Sequence, residues 1–183
     1  EYEADRIAGK LLGREVTAAA LAEIEIRGAW LQAEFWGRHW CVAAGNPLPV
    51  GPYRSMRRYL AEAPDATFAN DALLQALKRL SSVDDTHPGL RDRIEALDAT
   101  PTLPAWSRGS ALALLGGGAR QWVKYFDKQW CSNNATEWKQ HHAWLERVRA
   151  SAEVLGTSMP QNSAAELVEL ARLKRHLDPH ADV

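Results

Sequence analysis

The sequence predicts an all-α, multi-helix globular domain. Apolar residues recur at three- and four-residue steps along most of the chain, as they do on the buried face of a helix. No stretch of useful length shows the strict alternation of apolar and polar residues that is typical of a strand. Of the 183 residues, 46% are apolar, which is enough for a real core, and domains of roughly 100–200 residues make one compact domain the expectation.

Caps and helix breakers order the first half of the chain. An acidic first turn followed by Ile7, Leu11 and Leu12 predicts a short amphipathic helix that stops near Gly13. Thr17 is predicted to cap a long helix over 18–44, which Gly45-Asn46-Pro47 ends. The next predicted elements are a loop over 46–52, a helix with Tyr53, Met56 and Leu60, a break over 63–67, a helix over 68–80, a polar connector over 81–88, and a helix with the stripe Leu90, Ile94 and Leu97.

The second half is predicted to be helical as well. A Pro-containing segment over 100–104 precedes predicted helices near 110–115, 119–130, 136–155 and 163–176. Gly116-Gly117-Gly118 is predicted to be a hinge or tight turn, and it lacks the spacing of a phosphate-binding loop. Residues 164–179 could also be the opening helix of a tetratricopeptide unit.

Eight Trp against three Phe and four Tyr is an unusual composition. Seven of the eight Trp residues fall in two groups in predicted helical regions, and we expect their large rings to hold two helical layers together, in preference to forming an exposed peptide-binding surface. The first group is Trp30, Trp36 and Trp40, and the second is Trp122, Trp130, Trp138 and Trp144.

Charge and cysteine content exclude several classes of protein. The 22 Lys and Arg against 23 Asp and Glu give a net charge of −1, which supplies no large field for attracting nucleic acid or anionic lipid and disfavours sequence-independent DNA binding. Cys41 and Cys131 are too far apart in sequence to suggest a disulfide framework or a thiolate zinc site. No apolar run approaches the 18 or more residues of a membrane span, and the first residues lack the basic start of a signal peptide.

Glu1 and Asp5 lie four residues apart on the first predicted helix, so both carboxylates project from one face. One carboxylate can ligate zinc, and the second can accept the ring N–H of a histidine ligand. The simpler interpretation is that acidic residues in a first turn complement the helix dipole. Spacing alone favours that interpretation.

His87 precedes Pro88, which is predicted to begin a helix. Proline disfavours the α conformation at the residue before it, so we expect His87 to be extended and free to point into a cleft. There the imidazole could donate a hydrogen bond to a developing oxyanion. The alternative is an ordinary helix start capped by Asp85 or Thr86.

Two short motifs resemble those of a known family. Glu1-Tyr2-Glu3-Ala4-Asp5 is similar to the Glu-x-x-x-Asp helix of the gluzincin metalloproteases that include the CAAX prenyl endoprotease and the bacterial heat-shock protease HtpX. Thr86-His87-Pro88, followed by Arg93-Ile94 and Leu97, resembles a later element of the same family. The two motifs occur in the family's order, and the resemblance covers about residues 1–97.

The resemblance implies a domain organisation and a set of roles. Residues 1–104 would be the C-terminal part of a metallopeptidase domain, and 105–183 a Trp-rich helical extension. Glu1 would be the third zinc ligand, Asp5 the carboxylate beside it, His87 a hydrogen-bond donor to the tetrahedral intermediate, and Arg93 the partner of a carboxylate near the site. The full-length protein would hydrolyse peptide bonds of a protein or peptide substrate with a zinc-activated water. Many relatives are membrane-bound, which implies a membrane-anchored parent, with the bacterial inner membrane as one location.

The chain departs from the family in lacking the HExxH helix, whose two histidines fix the zinc ion and whose glutamate is the general base. The one His-x-x-x-His pair, His176 and His180, has Leu177 at the glutamate position and Pro179 before His180, so we expect a solvated tail. The other histidines outside the Thr-His-Pro motif, His39 and the adjacent His141 and His142, are not expected to be ligands. We therefore expect this chain alone to be inactive.

A helical protein-interaction or adaptor domain is the alternative function. Its C-terminal helix would lead into tetratricopeptide-like repeats that bind peptides. This interpretation accounts for the Trp-rich helices, but it does not explain why both family motifs occur in the chain.

Overall fold

The computed structural model describes residues 1–82, 87–106, 110–157 and 162–178. It is helical, with no strand in these ranges, which confirms the predicted all-α class. None of the described helices is both long and apolar enough to cross a lipid bilayer. The α-helices are α1 Tyr2–Leu12, α2 Arg14–Trp30, α3 Trp36–Cys41, α4 Tyr53–Tyr59, α5 Ala66–Lys78, α6 Leu90–Ala96, α7 Ala119–Asn133, α8 Ala135–Thr157 and α9 Ala164–Leu177.

Shorter helical segments connect some of these helices. A π-helical turn, Leu31–Phe35, follows α2, and a 3₁₀ turn, Val42–Gly45, follows α3. The helical run therefore ends at Gly45, as the sequence predicts. A second 3₁₀ segment, Ala111–Gly118, contains a kink at Gly116, where φ is 52°. The kink lies within the three glycines predicted to form a hinge or tight turn.

The chain divides into two compact units. The first unit comprises Glu1–Ala33 and Leu60–Ser110, and the second comprises Glu34–Tyr59 and Ala111–Val183. Along the C-terminal half of the chain, the two units meet after Ser110. Residues 34–59, however, group with the C-terminal part of the chain, and the sequence gives no sign of this grouping.

The core of the first unit lies where α2, α5 and α6 meet. The predicted stripe on α6 is buried, with exposed fractions of 3% for Leu90, 2% for Ile94 and 4% for Leu97. Ala22 and Ile26 of α2 are completely buried against the same cluster. Small alanines let these helices approach closely, while the leucines and isoleucines supply most of the buried apolar area.

The side of α1 that packs against the first unit is not the one that the apolar residues predict. Ile7, Leu11 and Leu12 are 53%, 77% and 67% exposed, so the predicted apolar stripe faces solvent. The buried residues of α1 are Asp5 and Gly9, one turn apart. The physical reason is that Asp5 has a charged partner on α6, and Gly9 lets α1 approach that helix.

Two predicted helix starts are wrong. Helix α2 begins at Arg14 with Gly13 as its N-cap, so Thr17 does not cap it. Thr17 lies inside the helix, is buried, and donates its hydroxyl proton to the carbonyl of Gly13 over 3.0 Å. Helix α6 begins at Leu90 with Gly89 as its N-cap, and not at Pro88.

The second unit is organised around tryptophan, as the sequence predicts for part of the set. Trp138 is completely buried, and its ring lies 5.4 Å from that of Trp40 and 5.9 Å from that of Trp130. Trp36 stacks on Trp130 at 6.4 Å. Trp122 departs from the prediction, since it is 52% exposed.

Helices α8 and α9 form an antiparallel hairpin in the second unit. Ser163 accepts a hydrogen bond from the backbone N–H of Glu166, and Glu166 accepts one from the N–H of Ser163, which makes a capping box. Trp144 of α8 contacts His176 near the end of α9, with ring centroids 5.1 Å apart. The buried residues between the two helices are Val148, Ala152, Leu170 and Leu173.

Candidate functional site

The four residues singled out by the sequence lie together in the first unit. Glu1 and Asp5 are at the N-terminal end of α1, His87 lies in the connector before α6, and Arg93 is in α6. Helices α1 and α6 contact each other, which brings together residues separated by more than 80 positions. Spacing along the chain does not predict this meeting.

The carboxylate of Glu1 lies between the imidazole of His87 and the guanidinium of Arg93. Its Oε1 is 3.0 Å from Nδ1 of His87, and its Oε2 is 3.2 Å from a guanidinium nitrogen of Arg93. The Glu1 side chain is 35% exposed and that of His87 is 68% exposed. Both groups are therefore open to solvent and to a ligand.

Asp5 is the buried member of the cluster. Arg93 donates from Nε to Oδ2 and from a terminal nitrogen to Oδ1 of Asp5, each over 2.7 Å. This two-bond geometry is the strongest that a guanidinium and a carboxylate can adopt. These hydrogen bonds, with the charges of Asp5, Glu1 and Glu25, raise the pKa of Arg93 above its ordinary value although partial burial opposes the shift.

Gly9 permits the close approach of α1 to the C-terminal end of α6. A Cβ atom at position 9 would lie 3.0 Å from Cδ2 of Leu97, which is tighter than ordinary packing allows. Gly9 is one turn after Asp5 and is buried beside it. The face of α1 that carries the site is therefore a carboxylate and a glycine.

Sequence reasoning missed Ser81, which braces the segment beside His87. Its Oγ accepts a hydrogen bond from the backbone N–H of Gly89 over 2.6 Å and donates to the carboxylate of Asp92. These contacts hold the N-terminal end of α6 in place, two residues beyond His87. The proposed caps Asp85 and Thr86 lie outside the described residues, and the cap position belongs to Gly89.

The other described histidines do not join the cluster. His39 is buried among aromatic rings in the second unit, as expected for a packing residue, and the ring of His141 stacks on that of Trp144 at 5.3 Å. His142 lies 2.6 Å from the carbonyl oxygen of Ala43 through Nδ1. His176 is exposed but packs against Trp144, while His180 lies outside the described residues.

The described residues do not form a complete metal site. Within them, no three His, Cys, Asp or Glu side chains lie close enough together to hold a metal ion. Glu1 offers one carboxylate, which is a suitable oxygen ligand for zinc, and its nearest imidazole, His87, already interacts with it. The site thus offers one partly exposed carboxylate as a possible metal ligand, that of Glu1, and His87 and Arg93 both contact it.

No protein-family model, curated protein or solved structure matches the chain. The interpretation of the site therefore depends on the two short motifs and on the contacts among Glu1, Asp5, His87 and Arg93.

Proposed function

We propose that this chain is the C-terminal portion of a zinc metalloendopeptidase of the gluzincin type. The observation that supports the proposal is the convergence of Glu1, Asp5, His87 and Arg93 through contacts of 2.7 to 3.2 Å. Two unrelated motif matches would have no reason to meet in space. Parts of one active site must do so.

In this proposal the chain supplies the carboxylate side of the site. Glu1 is a metal ligand, and Arg93 fixes both Glu1 and Asp5 because it contacts the two carboxylates at once. His87 donates a hydrogen bond to the substrate carbonyl oxygen as negative charge develops there. To donate there through Nε2 while Nδ1–H points at Glu1, the imidazole must carry its second proton.

The two imidazole ligands and the general base must come from another segment, since the chain contains no HExxH helix. Zinc, when bound, would supply the Lewis acid that polarises the peptide carbonyl and activates water. This chain alone is then expected to be inactive and to show no tight stoichiometric zinc binding in a calorimetric titration. Nanomolar zinc binding by the chain would contradict this division of the site.

The decisive experiment uses the complete protein that contains the chain, assayed for peptide cleavage and for bound zinc. Glu1→Ala should reduce both cleavage and zinc content. His87→Ala should reduce the rate by about 100-fold or more and leave the zinc content unchanged. Glu3→Ala is the matched control, because Glu3 lies in the same turn but is exposed and has no hydrogen bond among the described residues. Unchanged cleavage in both the Glu1 and His87 variants would refute the proposal.

A helical adaptor function is the second candidate, and the α8–α9 hairpin favours it. With α9 as the opening helix of a tetratricopeptide unit, α8 would be the last helix before the repeats, and the following helices would pack on the apolar surface of α9. Leu167 and Val168 of α9 are 41% and 70% exposed, as on a surface that a following hairpin would cover. The complete coding sequence separates the two candidates: an upstream HExxH helix supports the peptidase, and downstream 34-residue repeats support the adaptor.

A further inference from the structure

Helices α4 and α7, which contact each other in the second unit, carry a local excess of positive charge. Six exposed cationic side chains lie on them: Arg54, Arg57, Arg58, Arg120, Lys124 and Lys128. Asp127 is the one acidic residue in the two helices, and its Oδ1 accepts a hydrogen bond from the backbone N–H of Tyr53 over 2.8 Å. Within the described parts of the chain, no ion pair joins any of the six cations to a carboxylate. A net charge of −1 for the whole chain therefore conceals a strongly basic region.

The same region exposes a cluster of aromatic rings. Trp122, Tyr125 and Phe126 of α7 are 52%, 50% and 47% exposed. The ring of Phe126 lies 6.0 Å from Trp122, 5.4 Å from Tyr125 and 5.9 Å from Tyr53 of α4. The rings thus join the two basic helices, and about half of each of the three α7 side chains remains in water.

Exposed aliphatic residues lie on the segments next to these helices. Leu114 and Leu115, in the 3₁₀ segment that leads into α7, are 88% and 51% exposed. Leu48 is 76% exposed in a loop that contacts α7, where the thiol of Cys131 donates to the carbonyl of Pro49 over 3.4 Å. Neither the loop nor the 3₁₀ segment contains a charged residue.

We propose that the exposed aromatic rings of α7 and the exposed leucines of the two adjoining segments bind the surface of an anionic phospholipid membrane, and that the cations of α4 and α7 around them attract its headgroups. Trp and Tyr rings favour the headgroup level of a bilayer, and Leu side chains favour the acyl boundary beneath it. Lys and Arg side chains flanking such a face attract anionic headgroups while their methylene stems lie along apolar surface. This inference does not depend on the proposed peptidase function.

Nucleic acid fits the same surface less well. Phosphates would satisfy the six cations, but the aliphatic side chains of Leu48, Leu114 and Leu115 gain nothing from a nucleic-acid backbone. The aromatic rings also pack against one another, whereas single-strand binding proteins offer separate ring faces on which bases stack. A lipid surface engages both the charged and the apolar residues.

The test is co-sedimentation of the chain with vesicles of phosphatidylcholine alone and of phosphatidylcholine mixed with phosphatidylglycerol. Binding is expected to the mixed vesicles, much weaker binding to phosphatidylcholine, and a fall in affinity as salt is raised. Failure to bind the mixed vesicles at low salt would overturn the proposal. So would retention of a single-stranded oligonucleotide in place of vesicles.

Two variants test the two components of the surface. Lys124→Glu/Lys128→Glu should weaken vesicle binding about tenfold or more, and Trp122→Ser/Phe126→Ser should weaken it by a similar factor. Lys139→Glu/Arg147→Glu is the matched control, because it makes the same charge change at exposed positions of α8. Circular dichroism establishes that each variant is folded. Equal loss of binding in the control and the α7 charge variant would show that only net charge matters and would overturn the proposal.

Discussion

Arg93 and Asp5 are 88 residues apart in sequence, and two hydrogen bonds of 2.7 Å join them in the structure. The Asp5 side chain is 8% exposed and that of Arg93 is 21% exposed, so the pair is largely shielded from water. Arg93 also contacts Glu1 at 3.2 Å. One guanidinium thereby fixes the position of α1 on α6 and the orientation of the exposed carboxylate of the candidate site.

Loss of the Arg93 guanidinium should destabilise the first unit. Arg93→Met leaves the shielded carboxylate of Asp5 without its partner, which should lower the free energy of unfolding by about 2–3 kcal/mol. Arg14→Met is the control, because it removes the ion pair between Arg14 and Asp98. The Arg14 side chain is 61% exposed and that of Asp98 is 91% exposed. An exposed pair of this kind contributes under about 1 kcal/mol. Urea denaturation measures both changes, and equal losses would contradict the assigned role.

The sequence predicts a helix end correctly where residues next to that end determine it. Gly45-Asn46-Pro47 ends the helical run because proline cannot continue a helix. The inward face of α1 could not be predicted in the same way. The apolar repeat of α1 predicts that Ile7 and Leu11 are buried. The buried residue is instead Asp5, whose partner Arg93 is far away in sequence, on α6. Contacts over such separations leave no periodic trace in the sequence.

In the candidate site, too, local sequence predicts some features, while others depend on contacts between distant parts of the chain. Its residues were identified from two short motifs, and neither motif contains information on the distance between them. The brace that Ser81 provides for the N-terminal end of α6 was not foreseen, because a serine in a polar connector resembles any other loop residue. The close approach at Gly9 was also missed, since its effect appears only when Leu97 lies opposite.

A side chain at position 51 should disrupt the contact between the 46–52 loop and α7. A Cβ atom on Gly51 would collide with the side chain of Asp127, which holds the backbone N–H of Tyr53. Gly51→Ala should therefore cost about 1–3 kcal/mol of unfolding free energy. Gly37→Ala in α3 is the control, because its Cβ meets no atom within 4 Å, and it should stabilise by about 0.5–1 kcal/mol. Thermal or urea unfolding distinguishes the opposite signs.

Trp138 should be the most sensitive tryptophan of the second unit. It is completely buried, and its indole N–H donates to the carbonyl of Asn46 over 2.8 Å. Trp138→Phe removes that donor and leaves a cavity, at a cost of about 2–4 kcal/mol. Trp122→Phe, at a position that is 52% exposed, should change stability by no more than about 0.5 kcal/mol. Comparable losses in urea denaturation would mean that Trp122 also belongs to the core.

His39 is 5% exposed, and four aromatic rings surround it: those of Phe35, Trp36, Trp130 and Trp138. Its Nε2 is buried and makes no hydrogen bond within the described parts of the chain. Burial lowers the pKa of His39 below 6.5, and hydrogen bonding to the backbone of Val50 and the charge of Asp127 oppose this only in part. The folded protein therefore favours the neutral form of His39 more than the unfolded chain does.

This burial should make the protein less stable in mild acid. Above pH 6.5 the imidazole is neutral in both states, but as the pH falls through 6.5 the unfolded chain takes up a proton that the folded chain binds only at lower pH. The free energy of unfolding should thus decrease between about pH 7.5 and about pH 5.5, and His39→Phe should reduce that decrease. Burial also lowers the pKa of His141, so a dependence of the same sign should remain in His39→Phe and should be reduced by His141→Phe. Urea denaturation at the two pH values measures how much His39 and His141 each contribute to the pH dependence of the unfolding free energy. It is done on the wild type, both single variants and the double variant. An unchanged pH dependence in His39→Phe would mean that the imidazole takes up its proton as readily in the aromatic cluster as in the unfolded chain.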